Sequence, residues 1–495
     1  MKKLFFVLIL SLCVLFSASA VNYQKVYSVD DKIIDSIDAL YVMAGLSRPS
    51  SSGPYTGEEL SEMLSRLDSV SLDQTAEALR DSIRQQLESD AGRTSTTVHA
   101  CLYAEVSIHT NTSEAFQTKD NWMRNYNNQK PMGYLDFEHQ LRENFYGFFE
   151  FSAGVSKHLF KTTEFGADPV STNLLFVGPN NMSQFDFNFP HRAFIAAGGE
   201  GWAVQLGRDN LSWGLGKSGN LILGDHLQYH NALHFTTWTN SFKYTYVISA
   251  FAHPSEYYRY IKDHPELSGM YINGVSRDEY LVDGTPNPDR KDHPGQANVL
   301  KGISCFIGHR LEWRLLSDKL GLVVNEGILY MDEENKIDIM SFAPAFLYHN
   351  NYTRAQSNSI LGFEADYAVL PGLNFYAAFC VDDFNLPGEA APGQYVDGVQ
   401  NLAEQTAFGL QLGAKYATTV ADGILTVNAE AVKTDPYLYL RDGSFASGVD
   451  REQKVGQYGI RYVVAGREMI GAGEQNTLTS SSSAISMVVM LLWVT

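Results

Sequence analysis

The stretch VHACLYAEVSI, residues 98–108, decides the fold class. Every second residue from Val98 is apolar, while the residues between them are His, Cys, Tyr, Glu and Ser. Because side chains alternate between two faces along a β-strand, this pattern predicts a strand with one apolar and one polar face. The stretches YLDFEHQLR (134–142), RLEWRLL (310–316) and GFEADYAV (362–369) repeat it. We therefore expect residues 96–495 to be mainly β.

Two kinds of connection separate the predicted strands. Short turns such as RENF (142–145) and LPG (370–372) alternate with long polar loops, of which the longest runs from about residue 254 to 301. Outer-membrane barrels have short periplasmic turns and long outward loops. The pattern therefore predicts an antiparallel transmembrane β-barrel with an even number of strands, about 14 to 18. The alternative is a soluble secreted β protein, in which the polar faces meet water.

The two ends of the chain carry further signals. Residues 1–20, MKKLFFVLILSLCVLFSASA, have the positive start, apolar centre and A-x-A end of a signal peptide. They predict export and, with the barrel, a location in the outer membrane in contact with its lipid. The last apolar run, AISMVVMLLWV (484–494), is too short for a membrane helix and fits a strand, although it lacks the alternation expected of a final barrel strand.

Residues 21–95 carry three helix signatures and predict a periplasmic three-helix bundle. Apolar residues recur at helical spacing after Ser28, and Gly45 is a plausible stop for the first helix. Thr56 with Glu59 forms a capping box for the second helix, and Ser71 is the expected cap of the third. We expect a structural bundle under the barrel through which envelope assembly proteins could bind. A cell-wall-binding module of the S-layer-homology type is the alternative.

Composition excludes several functions. The chain has 37 Lys and Arg against 56 Asp and Glu, and such an acidic protein is repelled by nucleic acid. Neither a nucleophile elbow nor a HExxH pair is present, so no enzyme activity and no cofactor is predicted. His226, His230 and His234 are evenly spaced, but histidines that face a wet lumen need no metal, and we predict none.

The stretch GRDNLSWGLGKSGNLILGD (207–225) almost matches a phosphate-binding loop. The motif fails because Leu211 stands where its first glycine is required. The stretch instead combines a Trp, which could stack on a sugar ring, with polar residues that could bind sugar hydroxyls. A glycine-rich connection with no ligand is the alternative.

This stretch resembles the signature region of the Wzi-type capsule-assembly family of outer-membrane proteins. FAPAFLYHNN (342–351) and SNSILGFEADY (357–367) are similar to a second region of that family, and the helices before a long β region match its arrangement. Leu215 replaces the family's usual Pro. The resemblance implies a non-enzymatic, lectin-like barrel that attaches or helps to assemble capsular polysaccharide or exopolysaccharide at the cell surface. A porin that passes small solutes is the alternative function.

We thus predict surface polysaccharide as the partner of this barrel. The candidate polysaccharide-binding residues are Arg208, Asp209, Trp213, Lys217, Asn220, Asp225, Tyr257 and Tyr258.

Overall fold

The structure is a computed structural model of the chain. It describes residues 22–92, 94–102, 133–155, 185–186, 192–217, 219–224, 230–251, 271–272, 275–276, 281–282, 285–286, 303–332, 339–342, 357–383, 395–396, 399–400, 407–435, 438, 440–441, 460–461 and 482–493.

One large antiparallel sheet dominates the molecule. Among the described residues its path contains fourteen strands, each paired with its neighbours along the chain, and the short strand Phe185–Asp186 pairs off this path. The fourteen strands are β1 Thr94–Leu102, β2 Gly133–Leu141, β3 Phe145–Val155, β4 Ala193–Gly199, β5 Trp202–Asp209, β6 His230–Trp238, β7 Phe242–Phe251, β8 Ile303–Leu315, β9 Leu320–Asp332, β10 Ser357–Leu370, β11 Leu373–Asp383, β12 Ala407–Val420, β13 Gly423–Thr434 and β14 Ser482–Trp493. The predicted mainly-β, antiparallel fold is confirmed.

The two faces of the sheet have opposite chemistry. Large apolar side chains on one face are exposed, among them Val98, Leu135, Phe137, Phe149, Ile195, Leu206, Leu322, Phe363, Phe379, Phe408, Leu410 and Leu412. Polar and charged side chains on the other face are buried, among them Gln140, Gln205, Asp209, His234, Lys243, Thr245, Arg310, Glu312, Asn325, Asp366, Asn374, Gln411, Lys415, Asn428 and Glu430. This is the reverse of the usual arrangement in a water-soluble protein, in which charges are exposed.

The polar face is concave and encloses other parts of the chain. Apolar residues from each of the strands β6 to β12 contribute to one buried cluster together with Trp213, Leu221, Ile222 and Leu223. Side chains from seven neighbouring strands can converge on one loop only if the sheet curls around it. The space inside this curl is called the lumen below.

The two end strands of the sheet, β1 and β14, are not paired with each other in the described residues. The pairings among the described residues run from β1 to β14. The described sheet is therefore a curled path of fourteen strands, and a closed barrel remains a prediction.

Within residues 22–92, three α-helices precede the sheet: α1 Lys32–Ala44, α2 Gly57–Arg66 and α3 Gln74–Asp90. Helix α1 ends at Gly45, whose φ of 68° lies in the left-handed region that glycine tolerates. Thr56 caps α2 by accepting from the Glu59 amide, as the capping box predicts. The predicted Ser71 cap of α3 is wrong. Asp73 is the cap instead, because its carboxylate accepts from the Ala76 amide at 2.9 Å.

The helices pack on one another and cover one end of the sheet. Ile37, Leu64 and Ile83, one from each helix, belong to a single buried cluster, which Ile424 of β13 joins.

At this end the Gly372 amide donates to the Val42 carbonyl at 2.8 Å, and the Ser47 amide donates to the Asp318 carbonyl at 2.7 Å. Both contacts involve short turns of the sheet. We call this edge the helix end and the opposite edge the far end. No described helix has the length and apolar character needed to cross a membrane.

Candidate functional site

The glycine-rich stretch singled out from the sequence folds into the lumen. After β5 ends, Ser212 and Trp213 form a short antiparallel ladder with Gly53 and Ser52 of the segment between α1 and α2. The Trp213 amide donates to the Leu223 carbonyl at 2.9 Å, and the Gly214 amide donates to the Ser51 carbonyl at 2.8 Å. We call residues 210–224 the lumenal loop.

Trp213 is packed inside rather than presented to solvent. Its side chain is 1% exposed, and its ring meets that of Phe306 edge-on, with centroids 5.9 Å apart. Gly308 makes the space for the indole, because a Cβ at that position would lie 2.5 Å from Cη2 of Trp213. With both faces of the indole covered, no sugar can stack on Trp213 in this conformation.

Lys217 and Asn220 also make internal contacts. The Lys217 amide donates to Oε1 of Glu430 at 2.5 Å, and its Nζ forms an ion pair with Asp35 of α1. The Asn220 side chain accepts from the Gly216 amide at 3.1 Å and donates to Oγ of Ser212 at 3.0 Å. Both residues therefore shape the lumenal loop and attach it to its surroundings.

Arg208 and Asp209 lie on opposite faces of β5. The Asp209 carboxylate, 3% exposed, faces the lumen and accepts from Nε of Arg192 at 2.6 Å and from Nε2 of Gln205 at 2.7 Å. The neighbouring Arg208 therefore points to the outer face, where its Nε donates to Oδ1 of Asn231 at 3.0 Å. The two residues cannot contribute to one compact site.

The remaining candidates, Asp225, Tyr257 and Tyr258, lie outside the described residues, as does His226. The structure thus brings Trp213, Lys217 and Asn220 together in one loop, buries Asp209 above it and separates Arg208. Polysaccharide binding by these residues remains a prediction.

An ionic network that we did not predict holds the segment between α1 and α2 against the strands of the curled sheet, which we call the wall. The carboxylate of Glu312, on β8, accepts from the hydroxyls of Ser50, Ser51 and Ser52 and from the Ser51 amide, at 2.9 to 3.1 Å. Arg310 lies beside it, with Nε 3.1 Å from Glu312 and Nη1 2.6 Å from Glu364. Charged residues two positions apart on the polar face of a strand, and a run of three serines, were the available signals.

A second buried ion pair attaches α2. Nζ of Lys243, on β7, lies 2.7 Å from Oε1 of Glu59 and also donates to Oγ of Ser50 and to the Ser52 carbonyl, at 3.0 and 2.9 Å. All three donor directions of the ammonium group are therefore used, which offsets the cost of removing it from water.

A third ion pair attaches α1. Nζ of Lys415, on β12, lies 2.7 Å from Oδ2 of Asp38, and Nη1 of Arg48 lies 3.6 Å from its other oxygen. Burial alone would raise the pKa of Asp38, but the two cations outweigh it and hold the pKa well below its usual value. This carboxyl therefore favours the folded state above about pH 4 and loses that contribution as the pH falls toward its lowered pKa.

The lumenal histidines do not form a metal site in the described part of the chain. Nδ1 of His230 lies 2.9 Å from Oγ of Ser249, and His234 is buried. Within the described residues, no group of three His, Cys, Asp or Glu side chains could hold a metal ion.

Comparison with known proteins gives fold-level likenesses only. No protein-family model matches the chain, and no curated protein sequence does. Among solved structures the chain is similar to Wzi, an outer-membrane protein involved in group 1 capsule assembly in Escherichia coli and described as a carbohydrate-binding β-barrel. That match has 12% identity and a TM-score of 0.47, and it covers 86% of this chain and 75% of Wzi.

The chain is also similar to the outer-membrane channel DcaP of Acinetobacter baumannii, with 12% identity, 61% and 66% of the two chains covered and a TM-score of 0.26. A third likeness is to OmpT, an outer-membrane protein of Vibrio cholerae, with 10% identity, 61% and 78% covered and a TM-score of 0.24. Membership of the Wzi-type family remains a prediction.

We predict that Trp213 acts as a packing residue. Trp213→Ala should lower the free energy of unfolding by about 3–5 kcal/mol, because it leaves a cavity in a buried cluster. Trp213→Phe should cost less than half as much, since it keeps a ring against Phe306 and removes an indole N–H that has no acceptor among the described residues. Urea unfolding in detergent, followed by fluorescence, measures both values. Trp202→Ala is the control because Trp202 is 41% exposed. Equal losses for Trp213→Ala and Trp202→Ala would contradict this role.

We also predict that Glu312 is the main anchor of Ser50, Ser51 and Ser52, which we call the serine segment. Glu312→Ala should destabilise the protein by about 3 kcal/mol, because it removes the acceptor of four hydrogen bonds and leaves Arg310 with one carboxylate fewer. Asp68→Ala removes the half-exposed partner of Arg84 and should cost less than about 1 kcal/mol. The same unfolding measurement compares them, and protease cleavage within residues 47–56 should increase for the Glu312 variant alone. If residues 47–56 of a folded Glu312→Ala protein stayed uncleaved by the protease, the anchoring role of Glu312 would be refuted.

Proposed function

We propose that this protein is an outer-membrane β-barrel, closed to solute flow by its own chain, that holds polysaccharide at the cell surface. The observation that supports this proposal best is the filled lumen. The lumenal loop and the serine segment pair with each other there, and the wall residues Glu312, Lys243 and Glu430 hold them.

The outer face of the sheet supports the membrane location. Its large apolar side chains are substantially exposed; Leu206 is 55% exposed and Phe363 is 44% exposed. A continuous apolar face of this kind is unfavourable in water and favourable against lipid tails. Fourteen strands, an even number, would complete a barrel if β1 and β14 lie side by side in the membrane. The signal-like residues 1–20 support export.

The filled lumen favours attachment over transport. A porin needs an aqueous path through the barrel. Here a buried apolar cluster that includes Trp213 and Phe306 occupies the interior and contains residues from each of the strands β6 to β12. A barrel blocked in this way can serve as a rigid support for its outward loops.

Polysaccharide is the proposed partner because of the resemblance to the Wzi-type family and the aromatic and polar residues of the outward loops. With Trp213 buried, the candidates proposed for binding are Asp225, Tyr257 and Tyr258, which lie outside the described residues. The helices would face the periplasm, where the charged surface of α3, including Arg80 and Arg84, offers a contact for envelope assembly proteins. We propose no catalytic activity and no cofactor.

Planar-bilayer conductance tests the closed lumen. We expect no stable channels from the purified full-length protein. Replacing residues 214–220 with two glycines should produce channels, because it removes the part of the lumenal loop between Trp213 and Leu221. The matched control replaces residues 287–293, in the connection between β7 and β8, with two glycines and should remain closed. Large stable channels from the unaltered protein would support the porin alternative.

Staining of surface polysaccharide tests the role itself. A strain that lacks the gene should lose most of its cell-attached polysaccharide into the medium, and the normal gene should restore attachment. A gene carrying Tyr257→Ala and Tyr258→Ala should restore the barrel, verified by membrane fractionation, without restoring attachment fully. Unchanged attachment in the deletion strain would remove the polysaccharide role while leaving the barrel in place.

A further inference from the structure

The lumenal loop connects the two ends of the sheet through its interior. Its flanking strands, β5 and β6, meet at the far end, where Asp209 pairs with His230. The other ends of these strands lie by the helices, since Nε1 of Trp238 donates to Oε2 of Glu62 in α2 at 2.7 Å. The loop starts at the far end, yet its residue Lys217 pairs with Asp35 of α1. The loop therefore reaches from the far end of the strands toward the helix end.

The length of the loop agrees with this path. The chain from Asp209 to Lys217 could span at most roughly 26 Å, at about 3.3 Å per residue for a fully extended backbone. That is about the height of the apolar band of an outer-membrane barrel. The chain from Asp209 to Lys217 is thus long enough to reach from the far end toward the helix end.

The loop is attached at three levels. Near its start, Asp209 is held by Arg192 and Gln205. In the middle, Trp213 pairs with Ser52, which leads directly into α2. Furthest in, Lys217 contacts α1. A displacement of Asp209 must therefore be absorbed by the packing around Trp213 or must move the helices.

The helices are attached in a way that permits a response. They share an apolar core with residues from all three helices, which Ile424 of β13 joins. Their attachments to the sheet include the ion pairs of Glu59 with Lys243, Asp38 with Lys415 and Arg66 with Asp318. The first two of these pairs are buried and unfavourable to separate, so a force on the helices is carried by these contacts between the sheet and the helical part.

We propose that the lumenal loop is a mechanical link that relays polysaccharide binding at the far end to the helices at the other end. The choice of polysaccharide as the occupant rests on the proposed function; the link itself does not. Because coupling between two sites is reciprocal, loosening the helices would change polysaccharide affinity by the same factor as binding changes the helices.

Amide hydrogen exchange on the full-length protein in detergent tests the link without any ligand. Asp209→Asn weakens the attachment at the far end and should speed exchange of residues 32–44 at least about fivefold, the low end of typical coupling between sites. Arg208→Gln changes the adjacent residue, which faces outward, and should leave residues 32–44 within about twofold of the unaltered protein. Arg192→Lys gives a milder version of the first change should Asp209→Asn fold poorly. The link would be overturned if both Asp209→Asn and Arg192→Lys sped exchange only in residues 193–209 and 230–238. In that case exchange of residues 32–44 would be the same as in the unaltered protein.

A second arm adds the polysaccharide released from the surface of the producing strain. Bound polysaccharide should alter exchange of residues 32–44 in the unaltered protein and have no such effect in Asp35→Asn, which lacks the contact between Lys217 and α1. Binding that leaves residues 32–44 unchanged in the unaltered protein would refute the relay while the proposed function stands. Absence of binding would count against the proposed function, and the far-end variants would still decide whether the link exists.

Discussion

The pairing of charges on the concave face of the sheet is the constraint on which the rest of the structure depends. Arg310, Glu312, Lys243 and Lys415 are each 5% exposed or less, and an isolated buried charge of this kind is strongly unfavourable. Wall residues satisfy only part of this requirement. The remainder comes from Asp38, Glu59 and the serine segment, which belong to the helices and the chain between them. The sheet and the helical part are therefore electrostatically incomplete without each other.

The same constraint explains why the lumen combines polar and apolar packing. Near the helices, the contacts to the wall include ion pairs and hydrogen bonds beside the apolar contact of Ile424. Around Trp213 the wall supplies Phe306, Val247 and Ile360 together with glycines at 308 and 362, and the loop fills the space that these small residues leave. Charged contacts therefore position the helical part at the helix end. Shape complementarity positions the lumenal loop around Trp213.

Much of the fold could be predicted from the sequence, because alternation and helical spacing are local signals. The strands around Phe137, Glu312 and Phe363 follow from their period of two, and α2 follows from Thr56 and Glu59. The cap of α3 was wrong because Ser71 and Asp73 both have suitable side chains, and only the backbone path decides between them. The contact between Glu312 and the serines joins residues about 260 positions apart in the chain. No local pattern determines such a partner.

The stretch 207–225 shows the limit most clearly. A Trp among glycines and polar residues is what a sugar site needs, and it is equally what a loop needs in order to pack within a curled sheet. Glycines allow close approach, Asn220 stabilises the turn, and the indole fills the space over Gly308. Composition alone cannot separate these roles, because both depend on an aromatic ring brought close to backbone. The difference is whether the faces of the indole ring are covered. That depends on β8, more than ninety residues after Trp213 in the chain, which places Phe306 and Gly308 against the loop.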